Sequence, residues 1–290
     1  MCEALWCYAL LFFTFLCNVG AFAKKDAPTG GIAILSNHDP KACNSSNGNA
    51  TSACNLRVYV EAIRQASAAG AVLVLLPEAY GLEDISATPE PMSAVVGARM
   101  CENQTLTDSN QRAVACAADK YSIDVVANFF VRNPNDGIKH ITDIVFDANG
   151  IVRAIYEKSH LFPTERLHGF SPGPKTPRAV TLNSDSFGLA ICYEGLYPIL
   201  SGDWSQFEKL KQEGAGAILW SIGGILPDVG AAKAIIKRYN FSIFAAELNA
   251  KALATSRGGR LPTLSDVPLD VDGYSANASV EIFGVKSEAL

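Results

Sequence analysis

From Gly31 onward, short apolar runs alternate with stretches of helical periodicity. Ile32-Ala33-Ile34-Leu35 reads as a strand. Residues 55–69 (NLRVYVEAIRQASAA) carry apolar side chains at helical spacing and stop at Gly70. Residues 71–76 (AVLVLL) read as a buried strand ending in Pro77-Glu78. A second helix is predicted over 108–121, where Gly and Pro are absent, followed by a strand over 123–131 (IDVVANFFV). Residues 141–147 and 151–156 are strands joined at Asn149-Gly150, a dipeptide that favours a tight hairpin. An irregular, Pro-rich stretch runs from Phe162 to Pro177. Beyond it, strands are predicted over 187–192 (FGLAIC), 215–220, 241–247 and 276–283, and helices over 207–213 and 228–239. Strands separated by helices predict an α/β or layered α-β domain. With no internal repeat and no linker before about Gly258, one domain over 24–290 is the simplest account.

A different pattern precedes this domain. Ala4 to Val19 is almost continuously apolar and is followed by Ala21-Phe22-Ala23, a small-x-small site, and Lys24-Lys25. This predicts a secretory signal peptide, residues 1–23. The segment before the apolar run holds Glu3 and no Lys or Arg, so an uncleaved membrane anchor is the alternative. The run is short against the roughly 20 residues of a membrane span, and no second such stretch follows. No stable span is therefore expected after cleavage. Five Asn-x-Ser/Thr sequons, at Asn44, Asn49, Asn103, Asn240 and Asn277, fit a secreted, extracellular glycoprotein.

Cysteine usage points the same way. Three of the eight cysteines leave with the signal, and Cys43, Cys54, Cys101, Cys116 and Cys192 remain. An odd number in an oxidising compartment predicts two disulfides and one free thiol. Cys43 and Cys54 flank one polar stretch and Cys101 and Cys116 bracket another, although four cysteines allow three arrangements. Cys192 stands outside any local pair, at the end of an apolar strand. A buried structural thiol would also fit there.

Composition narrows the function. The chain has 290 residues, 49% of them hydrophobic, which is ample for a core, and its net charge of −5 gives no basic surplus for nucleic acid. The four histidines, His38, His140, His160 and His168, form no metal-binding spacing, so no metal is expected. His160 and His168 flank the irregular loop and could touch a substrate there, although residues in such places are more often simply exposed. No phosphate loop, dinucleotide fingerprint or serine elbow is present, and no cofactor is expected. Three residues sit at the ends of predicted strands, where function concentrates: Glu78, Lys158 and Cys192. A carboxylate in reach of a thiol can take its proton, and an ammonium can favour the thiolate and stabilise an oxyanion. Taken singly, Glu78 could equally pair with an arginine, and Lys158 could be a solvated charge.

The surrounding words are more specific. Leu76-Pro77-Glu78, then residues 156–165 (YEKSHLFPTE), then residues 191–198 (ICYEGLYP) resemble the three motifs of the nitrilase superfamily, in the same order. The resemblance implies a nitrilase-type α-β-β-α sandwich with Glu78, Lys158 and Cys192 as catalytic triad. It also implies Glu165 as a second glutamate positioning substrate and lysine, and the Tyr193 backbone N–H as oxyanion donor. Residues 101–128, 143–150 and 186–188 are similar to the biotinidase and vanin (pantetheinase) branch. That branch has Cys-Phe-Asp where this chain has Cys192-Tyr193-Glu194, a change that bears on substrate choice. Residues 217–224 (AILWSIGG) depart from its usual wording too. Vanins and biotinidase carry a further C-terminal domain, expected to be absent here because the chain stops at Leu290.

The resemblance thus implies a secreted amidohydrolase that cleaves a linear amide through a cysteinyl thioester, with a small-molecule amide such as pantetheine or biocytin as substrate. Nitrile hydrolysis and N-acyl transfer use the same triad and remain alternatives. A non-catalytic binding protein that keeps the fold is the alternative from another class. Superfamily members often pair subunits, so a homodimer is a further expectation.

Overall fold

A computed structural model describes residues 30–43, 48–103, 109–177, 179–224, 229–256, 259–271, 274 and 276–284, with side chains omitted at 48–51. The predicted signal peptide, and Asn44 among the sequons, lie outside the described residues. In chain order the strands are β1 (Gly31–Ser36), β2 (Ala71–Leu75), β3 (Glu90–Pro91), β4 (Asp124–Arg132), β5 (Lys139–Phe146), β6 (Val152–Glu157), β7 (Ala179–Leu182), β8 (Asp185–Ile191), β9 (Ala217–Ile222), β10 (Ser242–Glu247), β11 (Leu253–Ser256), β12 (Gly259–Arg260), β13 (Thr263–Pro268) and β14 (Ser279–Phe283). They form two sheets. The first has the order β13-β14-β1-β2-β4-β5-β6, with β3 also paired to β4, and the second has the order β12-β11-β10-β9-β8-β7.

The helices are α1 (Gly48–Ala68), α2 (Asn110–Tyr121), α3 (Pro163–Leu167), α4 (Tyr197–Ser201), α5 (Ser205–Gln212) and α6 (Val229–Tyr239). Val58, Tyr59, Ala62, Ile63 and Ala66 of α1 share one face and pack with Val114 and Ala118 of α2 on the first sheet. Phe207 and Leu210 of α5 and Ile235 and Ile236 of α6 cover the second. Alternation along each strand feeds two layers at once. Ala33 and Leu35 of β1 face α1, while Ile32 and Ile34 face the other sheet, meeting the layer that holds Phe187, Leu189, Leu219 and Phe244. The architecture is therefore a helix–sheet–sheet–helix sandwich, a mixed α/β fold. Parallel pairings join β1, β2 and β4 in one sheet and β8, β9 and β10 in the other. Strands buried on both faces read as unbroken apolar runs, which is why they stand out in the sequence.

The structure departs from the sequence pattern at polar ends and edges. Helix α1 begins at Gly48 rather than at residue 55, because its first turns are polar (GNATSA) and carry no apolar periodicity. Strand β7 and its hairpin to β8 were not predicted. Their turn is Asn183-Ser184, both with positive φ (49° and 74°). The exposed edge strands β12 and β13 likewise lack a hydrophobic run. The Asn149-Gly150 turn forms as expected, with Gly150 at φ 67° and the Asp147 carboxylate accepting from the N–H groups of Asn149 and Ile151.

Two disulfides pin the outer layer of the first sheet. Cys43 joins Cys54 on α1, and Cys101 joins Cys116 on α2. Cys192 is the free cysteine among the described residues. No helix there is long and apolar enough to cross a membrane.

Candidate active site

Three strand ends converge between the sheets. The chain leaves β2 through Leu76, whose N–H donates to Val126 O (3.0 Å), and turns at Pro77-Glu78. Lys158 follows β6, its N–H bonded to Ile141 O and its carbonyl accepting from Gly173 N–H, both at 2.8 Å. Cys192 follows β8 and opens a 3₁₀ turn to Gly195. Binding sites of α/β sheets form outside the carboxyl ends of strands in this way. Cys192 has φ +43°, a left-handed conformation that a non-glycine residue adopts only when its surroundings hold it there. Two contacts do so. The Trp220 indole N–H donates to Cys192 O (3.0 Å), and the Trp220 ring lies so close to Gly195 that a Cβ there would sit 2.1 Å from it.

The charges are then arranged around Lys158. Its side chain is fully buried, which excludes a solvated charge, and Nζ donates to Glu78 Oε1 at 2.7 Å and to Glu165 Oε1 at 2.5 Å. Glu165 is fixed from behind, because Oε2 accepts from Phe162 N–H (2.8 Å) at the start of α3. Glu78 Oε2 has no hydrogen bond and faces Gly223, where any side chain would collide with it at 2.2 Å. Burial pushes the Glu78 carboxyl above the ordinary value; Lys158 opposes the rise and Glu165 adds to it. For Lys158, burial works against the ammonium, but Glu78, Cys192 and Glu165 outweigh it and raise its pKa. Burial, with help from Glu78, pushes the Cys192 thiol up to about 12, against the pull of Lys158. At neutral pH the sulfur is therefore a thiol beside buried glutamates and an ammonium, and a thiol becomes an effective nucleophile only on losing its proton.

A cavity of about 160 Å³ opens on this group, walled by Tyr80, Phe162, Thr164, Tyr193 and Leu196. Apart from the buried charges it is apolar and aromatic, with the Tyr193 ring edge-on to Phe162 at 5.5 Å. A larger cavity of about 590 Å³, between the edges of β6 and β7, touches none of the three strand-end residues. It is a groove at the open side of the sandwich. No cluster of metal-binding side chains occurs among the described residues. His168 is exposed on the surface. His160 stacks on Tyr197 at 3.8 Å, with Nδ1 3.0 Å from Ser159 Oγ, and does not line the cavity.

One residue central to this geometry enters the motif comparison only as part of a departure that bears on substrate choice. Glu194 is fully buried. Its Oε1 accepts from Tyr156 OH (2.7 Å), Ser159 N–H (2.7 Å), Ser159 OH (2.8 Å) and His160 N–H (3.3 Å), and its Oε2 from Ile191 N–H (2.9 Å). Glu194 thus ties the segment after Lys158 to the turn that carries Cys192. Its signal in the sequence was its place two residues after the cysteine. Glu194→Ala is expected to strand several buried donors at about 1–3 kcal/mol each, and so to cost several kcal/mol in denaturant unfolding. Unchanged stability would remove Glu194 from this role.

Comparison with known proteins gives the site its context. The chain matches the carbon-nitrogen hydrolase family over residues 43–202, more than half its length, and belongs to that family. It is 32% identical to the pantetheinase of Homo sapiens over 170 residues, covering 49% of this chain and 31% of that protein. It is 31% identical to the pantetheinase of Bos taurus over 168 residues, covering 49% and 32%. The chain therefore spans about a third of the length of these relatives. In structure it is similar to the NitN amidase of Nesterenkonia sp. AN1, with a TM-score of 0.60 at 18% identity over 90% of this chain and 94% of that one. A variant of that amidase carrying acrylamide on its active-site cysteine gives the same TM-score over 89% of this chain. At that identity the likeness is one of fold.

Proposed function

We propose that the protein is a secreted amidohydrolase that cleaves a linear amide through a thioester on Cys192, with Glu78 as proton carrier and Lys158 as electrostatic partner. The observation that carries this is the buried Glu78–Lys158–Glu165 chain of ion pairs beside the thiol. Cys192 Sγ attacks the amide carbonyl carbon while its proton passes to Glu78. The oxyanion forms against Lys158 Nζ and the Tyr193 backbone N–H. The carbon–nitrogen bond breaks as Glu78 returns the proton to the departing amine. Water then attacks the thioester and gives a proton to Glu78; the carbon–sulfur bond breaks as Glu78 passes that proton to Sγ, releasing the acid and restoring the thiol and the Glu78 carboxylate. Glu165 keeps Lys158 in place. Because the thiol titrates far above neutrality, its proton leaves during attack rather than beforehand.

The cavity bears on substrate choice. At about 160 Å³ it is smaller than the roughly 300 Å³ at which drug-sized pockets begin. The scissile amide and the few atoms next to it fit inside, and the rest of a larger acyl group extends outward. The partial likeness to pantetheinases favours a pantetheine-type amide, and biocytin is the second candidate. The acrylamide adduct of the Nesterenkonia amidase supports a cysteine that meets small amides.

The test is mass spectrometry after brief exposure to pantetheine, biocytin, acetamide, acrylamide and simple nitriles. Acyl mass on Cys192 with release of the amine is expected. No adduct and no turnover across the panel, from a folded protein, would favour a binding protein on this fold.

Secretion gives a separate prediction. Asn103, Asn240 and Asn277 are exposed. Protein expressed through a secretory host is expected to begin at Lys24 and to lose glycan mass on enzymatic deglycosylation. An unprocessed, unglycosylated product would count against the extracellular assignment.

A further inference from the structure

Directly behind the Glu78 turn lies a polar group that the mechanism above does not use. Asn128 on β4 and Asp143 on β5 are register partners, and neither is exposed. Asn128 Oδ1 accepts from Ala79 N–H at 3.0 Å, one residue beyond Glu78, and Asn128 Nδ2 donates to Asp143 Oδ1 at 2.7 Å. The hydroxyl of Ser221, on β9 of the other sheet, faces Asp143. Asp143 Oδ2 and Ser221 Oγ are both buried without a formed hydrogen bond. A core this apolar does not tolerate such groups cheaply, and here they bridge the two sheets under the backbone that presents the general base.

We propose that Asp143 is a positioning residue for Glu78, fixing the Glu78 turn through Asn128 and anchoring both to Ser221 of the second sheet. The proposal rests on the reading of Glu78 as the proton carrier. A carboxylic acid suits this place better than a carboxylate: it can accept from Asn128 on one oxygen and donate to Ser221 from the other. The ionisable groups that face it are Glu78 on the turn after β2, Glu194 on the turn after β8, and Tyr156 across the hairpin on β6. Glu78 and Glu194 work against a charge on Asp143, while the buried Tyr156 phenol, itself pushed above its ordinary value, stays neutral. Burial, with these two glutamates, pushes the Asp143 carboxyl up to about 8. The group therefore carries its proton at neutral pH and loses it in mild alkali. The ionised form gives up the donor to Ser221 and sets a further negative charge against Glu78.

Alkylation of Cys192 by iodoacetamide tests this without knowledge of the substrate, because the other described cysteines are in disulfides. Rates are measured from pH 6 to pH 10 for wild type, Glu78→Gln, Asp143→Asn and Asp143→Leu, with folding checked by circular dichroism. Glu78→Gln is expected to slow alkylation. Asp143→Leu is expected to slow it at least about tenfold through misplacement of the base. Asp143→Asn keeps one acceptor and one donor, so at pH 7 it should stay within about twofold of wild type. Above about pH 8 the wild-type profile should bend below that of Asp143→Asn. Slowing in Glu78→Gln with a normal rate in Asp143→Leu would overturn the role of Asp143 alone. A normal rate in Glu78→Gln would overturn the base and its positioning residue together. Should Asp143→Leu fail to fold, the Asp143→Asn profile decides, and a bend retained in that variant overturns the proposal.

Discussion

Exchange of Cys192 for alanine is expected to reduce amide turnover by at least about 10⁴-fold while the protein remains folded. The size follows from the site. In the proposed mechanism the sulfur forms the only bond to the acyl group, and the nearby glutamates are engaged: Glu78 and Glu165 both bind Lys158 Nζ. The fold should survive because the contacts that fix the turn do not involve the sulfur. Trp220 donates to the backbone carbonyl of residue 192, and Glu194 holds the N–H of Ile191. Steady-state turnover on whichever amide acylates the wild type, read beside a thermal melt, checks both halves. Turnover within tenfold of wild type would mean that acyl transfer does not pass through this thiol.

Replacement of Lys158 by methionine should damage stability as well as activity. In the wild type one fully buried ammonium serves two buried carboxylates. Removing one partner of a buried ion pair costs about 3–5 kcal/mol, because the remaining charge has no compensation. In the variant, Glu78 would sit beside Glu165 with no ammonium to oppose the rise in its pKa, and would be driven toward protonation. The pH dependence then has a definite sign. A carboxyl whose folded-state pKa is raised binds more protons folded than unfolded, so folding gains stability as pH falls through that pKa. The stability gap between Lys158→Met and wild type should therefore narrow from pH 8 toward pH 5. Unfolding curves in denaturant at several pH values measure it. An equal gap at both ends would show that the loss comes from packing rather than from stranded charge.

How far the sequence reached depended on whether each feature is written locally. β2, β4, β8 and β9 announce themselves as apolar runs because both faces of each strand are covered. Glu78, Lys158 and Cys192 could be picked out because each breaks or follows such a run. Their meeting point depends on two sheets stacking, and the motif resemblance supplied it. The early turns of α1, the Asn183-Ser184 hairpin and the edge strands β12 and β13 escaped, since polar residues there carry no periodicity. Glu194 and Asp143 escaped for another reason. Their bonding partners lie on separate segments: residues 156, 159 and 160 for Glu194, and residue 128 for Asp143. A charged letter inside an apolar word is visible in the sequence, but its partner across the sandwich is not.

The placement of the two disulfides also governs how the protein must be handled. Both bridges close short loops, with sequence separations of 11 and 15, and both lie on the side of the first sheet. Loops of this length contribute about 3 kcal/mol each in the chain-entropy account. The sheet that delivers Cys192 has no such staple. A strong reductant added during purification to protect the Cys192 thiol would therefore loosen the opposite face of the molecule, whereas omitting it leaves that thiol open to air oxidation. Storage under inert gas, with a mild reductant too weak to open the bridges, keeps both halves of the molecule in their working redox state.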